Sequence, residues 1–201
     1  MSSVAEAVAA LKDGAAVVLP TDTVYGIVAD GYREAPALAL ARLKGRPAGM
    51  PMALLSCELE SILDAVPELR GRAAVAARAL LPGPFTLVLP NPSQRFRWLC
   101  PPGATSIGIR VPSLSGEARA VVERVGVVCS TSANLHGGPD PRRLEDVAEE
   151  LRSAAGAAID AGELPGVPST VLDLTGAEPL VLREGAVPAA EALERARAAL
   201  A

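Results

Sequence analysis

Aromatic side chains are scarce: Tyr25, Tyr32, Phe85, Phe96 and Trp98 are the whole complement of a 201-residue chain. A sheet that reads nucleic acid by stacking bases on rings is therefore a poor model for it. Lysine is scarcer still, with only Lys12 and Lys44, so positive charge rests on arginine, and the formal net charge is -4. Extensive contacts to a phosphate backbone are not expected from that balance. Histidine occurs once, as His136, and Cys57, Cys100 and Cys129 form no C-x-x-C pair. These counts argue against a Cys/His zinc site and leave a Ser-His-Asp or Cys-His catalyst only His136, in a glycine-rich loop. No basic-then-apolar leader opens the chain, and no apolar run reaches the roughly 18 residues of a membrane span. A reduced, cytoplasmic chain without a membrane partner is expected.

What is present is an ordinary globular balance, half hydrophobic and 21% charged. At roughly 150 residues per domain, a single domain over 1–201 is expected, large enough to bury a core without staples. Val4, Val8 and Leu11 recur at helical spacing up to Asp13-Gly14. Ala15 to Leu19 reads as a buried strand stopped by Pro20, and Thr21 to Gly26 as a polar strand end feeding a site. Helices are expected over 35–43, over 116–125, over 144–155, after Pro188, and from Pro67 to about Leu81. Strands are expected over 52–55, 85–89, 107–111, 126–129 and 157–159, with a hairpin of 171–174 and 180–183 around Thr175-Gly176. Asn91 to Gly103 reads as a proline-rich surface excursion and Ser130 to Pro141 as a loop. The mixture predicts an α/β or α+β fold: a twisted, open, mixed sheet flanked by helices.

Polar clusters stand at the ends of the strand-like runs: Thr21/Thr23/Tyr25, Lys44/Arg46, Ser106/Arg110, Ser130/Ser132/Asn134, Ser169/Thr170 and Arg183. Loops beyond strand ends in open α/β sheets gather at one crevice, so a concave, positively charged crevice suited to a polyanion such as a nucleoside triphosphate is expected. Each cluster alone has an ordinary reading as well. Thr21 and Thr23 fit a turn, Lys44 and Arg46 read as an exposed loop and fit a solvated turn, and Ser132 or Asn134 fits a helix cap. Arg110 and Arg183 interrupt apolar strands, either facing water or holding a bidentate oxyanion. Asp22 fits a turn acceptor or a Mg²⁺ ligand. No G-x-x-x-x-G-K-[ST] and no G-x-G-x-x-G after a strand is present, so any nucleotide site must be assembled from side chains of several segments.

In their order along the chain these segments resemble the YrdC/TsaC family of threonylcarbamoyl-AMP synthases. The resemblance is carried by Pro20-Thr-Asp-Thr-Val-Tyr-Gly26, Lys44-Gly-Arg-Pro47, Pro82-Gly-Pro-Phe-Thr86 and Ile107-Gly-Ile-Arg-Val-Pro112. It continues through Ser130-Thr-Ser-Ala-Asn134, Pro168-Ser-Thr-Val171 and Leu182-Arg-Glu-Gly185, nearly the whole chain. It implies a nucleotidyltransferase that makes L-threonylcarbamoyladenylate and pyrophosphate from L-threonine, bicarbonate and ATP, for N6-threonylcarbamoylation of tRNA adenosine. It further implies that Lys44 and Arg46 bind the triphosphate and act in catalysis, with Ser132 and Asn134 in support and Ser106, Asp140 and Arg183 on the nucleotide side. Thr21, Arg110 and Ser130 would hold threonine, with Ser169 and Thr170 beside it and Tyr25 walling the pocket. Where some relatives carry a histidine this chain has Leu55, so no histidine role carries over. Longer relatives add a C-terminal domain; a chain stopping at Ala201 is expected to be the short, single-domain form.

Such a transfer needs positioning and charge neutralisation more than a covalent nucleophile. Mg²⁺ is expected through phosphates and water, with no protein metal ligand, because no carboxylate cluster is visible. The expected partners are the three substrates, a downstream threonylcarbamoyl transferase complex and, as an open question, tRNA. Two rival readings remain: a double-stranded RNA or tRNA binder without adenylyl transfer, and a carbamoyl-transfer module like that of hydrogenase maturation proteins.

Overall fold

The computed structural model describes residues 2–47 and 49–200; Met1, Ala48 and Ala201, two of them the ends of the expected 1–201 domain, lie outside the described residues. Its centre is one mixed sheet, built from β1 (Val17–Pro20), β2 (Tyr25–Asp30), β3 (Ala53–Leu55), β4 (Phe85–Pro90), β5 (Ser106–Arg110), β6 (Val128–Ser132), β7 (Ala157–Ala158), β8 (Thr170–Asp173) and β9 (Leu180–Arg183). The strands lie side by side as β7-β1-β2-β6-β3-β5-β4-β8-β9. Pairings β1–β7, β3–β5 and β4–β8 are parallel and the other five antiparallel.

Strand alternation divides the apolar residues between two faces. Tyr25, Ile27, Leu54, Phe85, Leu87, Ile107, Ile109 and Leu172 join the larger core, with Leu40 of α2 (Glu34–Leu43), Ile62 of α3 (Leu59–Ala65), Ala77 of α4 (Arg72–Leu80) and Ala192 of α7 (Ala189–Leu200). The opposite face carries a smaller core of Leu19, Val28, Leu55 and Val128. It is covered by Ala7 and Leu11 of α1 (Val4–Asp13) and Val121 and Val122 of α5 (Gly116–Val125). That smaller core takes residues from β7, β1, β2, β6 and the end of β3 but none from β5, β4, β8 or β9, so over those strands the second face stands open.

Register decides what floors that opening. Val28, Ser130, Ala53, Gly108, Val88 and Asp173 form one row across six strands. Its middle members are serine, alanine and glycine, so the sheet surface sinks where helices are absent. A Cβ on Gly108 would sit 3.6 Å from Ala53 Cα, an ordinary contact, so glycine here provides space rather than relieving a clash.

Several expectations need correction. β2 is a full six-residue strand; buried at five positions in succession, it gives no alternation to read. Pro67 opens no helix: it lies between α3 and α4, the latter starting after Gly71 at φ 54°. The 144–155 segment is a 3-10 turn, Leu144–Asp146, then α6 (Glu149–Ala154). Asn91 to Gly103 is no mere surface excursion, because Phe96, Leu99 and Cys100 are buried in the larger core. β6 runs through Ser132, its polar end held by β2 and its earlier residues by both β2 and β3. Among the described residues no helix is long and apolar enough to cross a membrane.

Tyr25 is the correction with a consequence. Its ring is fully buried in the larger core, on the face away from the opening, so it does not wall the pocket. The hydroxyl donates toward Asp160 Oδ1 at 2.7 Å and Gly162 O at 2.9 Å and accepts from Ala161 N–H at 2.9 Å. It pins the 160–162 turn beneath the sheet. Tyr25→Phe should cost about 1–3 kcal/mol, the range for leaving partly buried hydrogen-bonding groups unmatched. Denaturant unfolding checks this, and an unchanged midpoint would remove the pinning role.

Candidate active site

The open face holds a cavity of about 560 Å³, lined among others by Thr21, Arg46, Ser106, Arg110, Ser130, Thr131, Ser132, Ser169 and Arg183. Three arginines thus face one space, against a single lining carboxylate, Asp173. Arg110 projects from the last residue of β5 on the same side as Ser106 and Gly108. Its Nη2 donates to Asp22 Oδ1 at 2.7 Å, Thr23 Oγ1 at 2.5 Å and Thr21 Oγ1 at 3.2 Å. Asp22 Oδ2 also accepts Ser113 N–H at 3.0 Å, so this carboxylate is a clamp between two loops rather than a metal ligand. Burial pulls the guanidinium downward in pKa and nearby Arg183 adds to it, while Asp22 opposes. Its Nε is buried without a partner.

A second cationic corner forms where α2 ends. Lys44 follows the helix, and the turn through Gly45 at φ 62° brings Arg46 back beside it. Lys44 is only 2% exposed. Its Nζ donates to Ser132 O, to Thr131 Oγ1 at 3.2 Å and to Asn134 Oδ1 at 3.2 Å. Arg46 Nη1 donates to Thr131 Oγ1 at 2.6 Å and Nη2 to Pro51 O at 2.8 Å, leaving Nε buried and unpartnered. Burial, with the like charge of Arg46, pushes Lys44 down to about 7, Asp140 opposing; burial also lowers Arg46.

The third corner lies where β8 begins. Arg183 donates from Nη2 to Ser169 O at 2.8 Å and Ser169 Oγ at 3.2 Å, and Ser169 Oγ shares a 2.8 Å bond with Thr86 Oγ1. Gly185 packs so closely on this turn that a Cβ would run into Pro168 O and the Ser169 backbone. The 182–185 and 168–170 segments therefore interlock only with glycine there.

Comparison with known proteins gives the same architecture a family. The family model described as telomere recombination, Sua5/YciO/YrdC, matches residues 9–185. The chain belongs to this family. It is 32% identical to the threonylcarbamoyl-AMP synthase of Pyrococcus abyssi, over 90% of this chain and 53% of that protein. It thus spans about half the length of that relative. The synthase of Stenotrophomonas maltophilia is 33% identical, over 80% of this chain and 87% of its own length. The solved structure of P. abyssi Sua5 complexed with L-threonine superposes with a TM-score of 0.86 at 32% identity, covering 96% of this chain and 56% of that one.

Within this Sua5/YciO/YrdC domain, the residues singled out by sequence divide into groups. Thr21, Arg46, Ser106, Arg110, Ser130, Ser132, Ser169 and Arg183 line one cavity. Lys44 and Asn134 stand immediately behind the lining, joined to it through Thr131 and Ser132, since Ser132 Oγ donates to Asn134 Oδ1 at 2.6 Å. Asp140 is outside the lining and acts on Lys44 through its charge. Two corrections concern side-chain direction and burial. Thr170 is fully buried, its hydroxyl donating to Val187 O at 2.6 Å and accepting from Gly185 and Val187 N–H, so it ties the 185–187 turn and does not reach the cavity. Lys44 is no exposed loop residue, because the β6 exit folds over it. Thr21 lines the cavity yet also closes its own turn, donating to Val24 O at 2.7 Å. His136 is exposed outside the lining, its backbone N–H donating to Lys44 O.

Thr131 carries no sequence signal as a site member, and Asp22, which fits a turn acceptor or a Mg²⁺ ligand by sequence, serves instead to orient Arg110. Thr131 stands between two serines that strand alternation puts on the other side. Among the described residues no group of three or more His, Cys, Asp or Glu side chains is placed to hold a metal ion.

Lys44 generates a test with a definite sign. Its folded value, about 7, lies below the 10.5 of a free lysine, so between them the folded chain holds fewer protons and stability rises with pH. The window from pH 7 to about 7.8 stays below the ordinary thiol pKa of about 8.5. Over it, Lys44→Met should flatten the rise in unfolding free energy seen for the wild type. Denaturant titrations at both ends check this; equal slopes would put the ammonium in water.

Proposed function

We propose that this protein is an L-threonylcarbamoyladenylate synthase: it joins L-threonine, bicarbonate and ATP into L-threonylcarbamoyl-AMP and releases pyrophosphate. The observation that carries the reading is a pair of part-buried guanidiniums, Arg46 and Arg110, each with its Nε buried and unmatched, facing one cavity. A buried guanidinium left with an unmatched donor is unfavourable until an oxyanion supplies acceptors. Two such groups in one space suit two anions, a carboxylate and a polyphosphate. The threonylcarbamoyl-AMP synthase relatives and the threonine complex of P. abyssi Sua5 support the same assignment.

In this reading Arg110, oriented by Asp22, holds the threonine carboxylate, with Thr21, Ser130 and Ser169 around the amino acid. Arg46 and Lys44 take the triphosphate, while Ser106, Ser132, Asn134 and Arg183 complete the nucleotide side and Asp140 acts on Lys44 by its charge. Threonine's amine displaces water from bicarbonate to give a carbamate, one water leaving for each C–N bond formed; the carbamate oxygen then bonds to the α-phosphorus as the bond to pyrophosphate breaks. Arg46 and Lys44 neutralise the departing charge, a task of fixed electrostatics that asks for no covalent nucleophile. Lys44 regains its proton preference when a phosphate replaces lost solvation. Mg²⁺ suits this donor set only as a companion of the triphosphate, since Asp22 is engaged and Asp173 is alone in the lining. It would neutralise phosphate charge. The product is an activated carbamate consumed by an amine acceptor, which makes tRNA adenosine, through a downstream transferase complex, the proposed destination.

Pyrophosphate release with ATP, threonine and bicarbonate omitted in turn tests the whole reading: each omission should abolish it. Release without threonine, or salt-sensitive RNA binding with no release at all, would overturn it. Arg110→Ala should raise the KM for threonine by roughly a hundredfold, about the 3 kcal/mol of a charge-assisted pair, and leave that for ATP nearly unchanged. Equal losses would show that the carboxylate assignment is wrong.

A further inference from the structure

One hydroxyl at the β6 exit, on a residue that lines the cavity, has an incomplete partner set. Thr131 Oγ1 accepts from Arg46 Nη1 at 2.6 Å and from Lys44 Nζ at 3.2 Å. A threonine hydroxyl has two lone pairs and one proton. The two cations occupy the lone pairs, so the proton is left for a third partner, and among the described residues no protein acceptor takes it. Thr131 lines the cavity, next to the buried and unmatched Nε of Arg46. The unfilled valences at this corner are therefore all donors, which call for an acceptor, and beside two cations an anionic oxygen is the most favourable one.

We propose that Thr131 is a further anion-binding residue: it holds Arg46 and Lys44 side by side through its lone pairs and gives its own proton to a phosphate oxygen of the nucleotide. The proposal rests on the reading that a triphosphate enters this cavity. An oxygen between two like charges offsets their repulsion, and the charge of Arg46 is, after burial, among the causes that lower Lys44. The side chain thus serves anion binding twice, by keeping the cations together and by direct donation. Neither role needs the methyl group, so serine should replace threonine and the near-isosteric valine should not.

Isothermal titration calorimetry of wild type, Thr131→Ser and Thr131→Val with inorganic pyrophosphate, ATP and L-threonine tests this. Thr131→Val should weaken pyrophosphate and ATP by roughly tenfold or more, the scale of a lost hydrogen bond to a charged group. Threonine affinity should stay at the wild-type value, and Thr131→Ser should restore both anions. Wild-type pyrophosphate affinity in Thr131→Val would overturn the proposal. So would equal losses for threonine and pyrophosphate, or a serine variant as weak as valine, since either marks a purely structural residue. A wild type that binds pyrophosphate but not ATP would sink the nucleotide reading, while Thr131 would still be judged by its pyrophosphate ratio; binding neither would sink both. Thermal melts accompany each variant, and Thr131→Ala replaces valine in the same comparison if valine does not fold.

Discussion

Moving a guanidinium out of water costs several kcal/mol unless its donors find acceptors, and this fold holds two that are partly withdrawn from water, each with a buried and unmatched Nε, around one cavity. Arg110 has one arm clamped by Asp22, Thr21 and Thr23, and Arg46 has its two terminal nitrogens on Thr131 and Pro51, yet the Nε of each is buried with nothing to bind. Each clamp fixes the orientation of a cation while leaving part of its charge unanswered. An oxyanion arriving there meets donors already desolvated and already aimed, so little reorganisation opposes its binding. The burial that pushes Lys44 down to about 7 expresses the same condition.

That arrangement depends on an asymmetry in how the sheet is covered. One face packs against α2, α3, α4 and α7; the other has α1 and α5, whose core reaches from β7 to the end of β3 and takes nothing from β5, β4, β8 or β9. The cavity is the portion left over, and its depth comes from the row Val28, Ser130, Ala53, Gly108, Val88, Asp173. Strands from distant parts of the chain meet in that row, so the floor of the cavity is held by a hydrogen-bonded ladder on which a helix is absent. A rigid floor with polar exits suits a reaction that proceeds by positioning two anions rather than by a covalent intermediate.

Much of this was readable from residue order. The strand expected over 107–111 forms as β5, with Ile107 and Ile109 in the core and Arg110, which interrupts the apolar run, at the cavity. The hairpin around Thr175-Gly176 and the helix after Pro188 also stand as read. What escaped did so for physical reasons. β2 is buried on both faces and carries no period, α3 is too short to declare one, and Pro67 suits a turn as well as a helix start. Tyr25 and Thr170 have the chemistry of site residues, but strand parity turns both away from the cavity, and a buried hydroxyl satisfied by Asp160 or Val187 is structural.

The sequence by itself determined the inventory: one mixed sheet with helices, polar segments at strand ends, too few histidines and cysteines for a zinc site, and an ordered set of motifs specific enough to imply a family. Only the tertiary structure decided which of those polar groups share a space. Alternation along a strand is a local rule, whereas the face a strand presents, and whether a helix covers it, depend on partners far away in the chain. Lys44 is the plainest instance: its own neighbours read as a solvated turn, and it is buried because β6, some ninety residues later, closes over it.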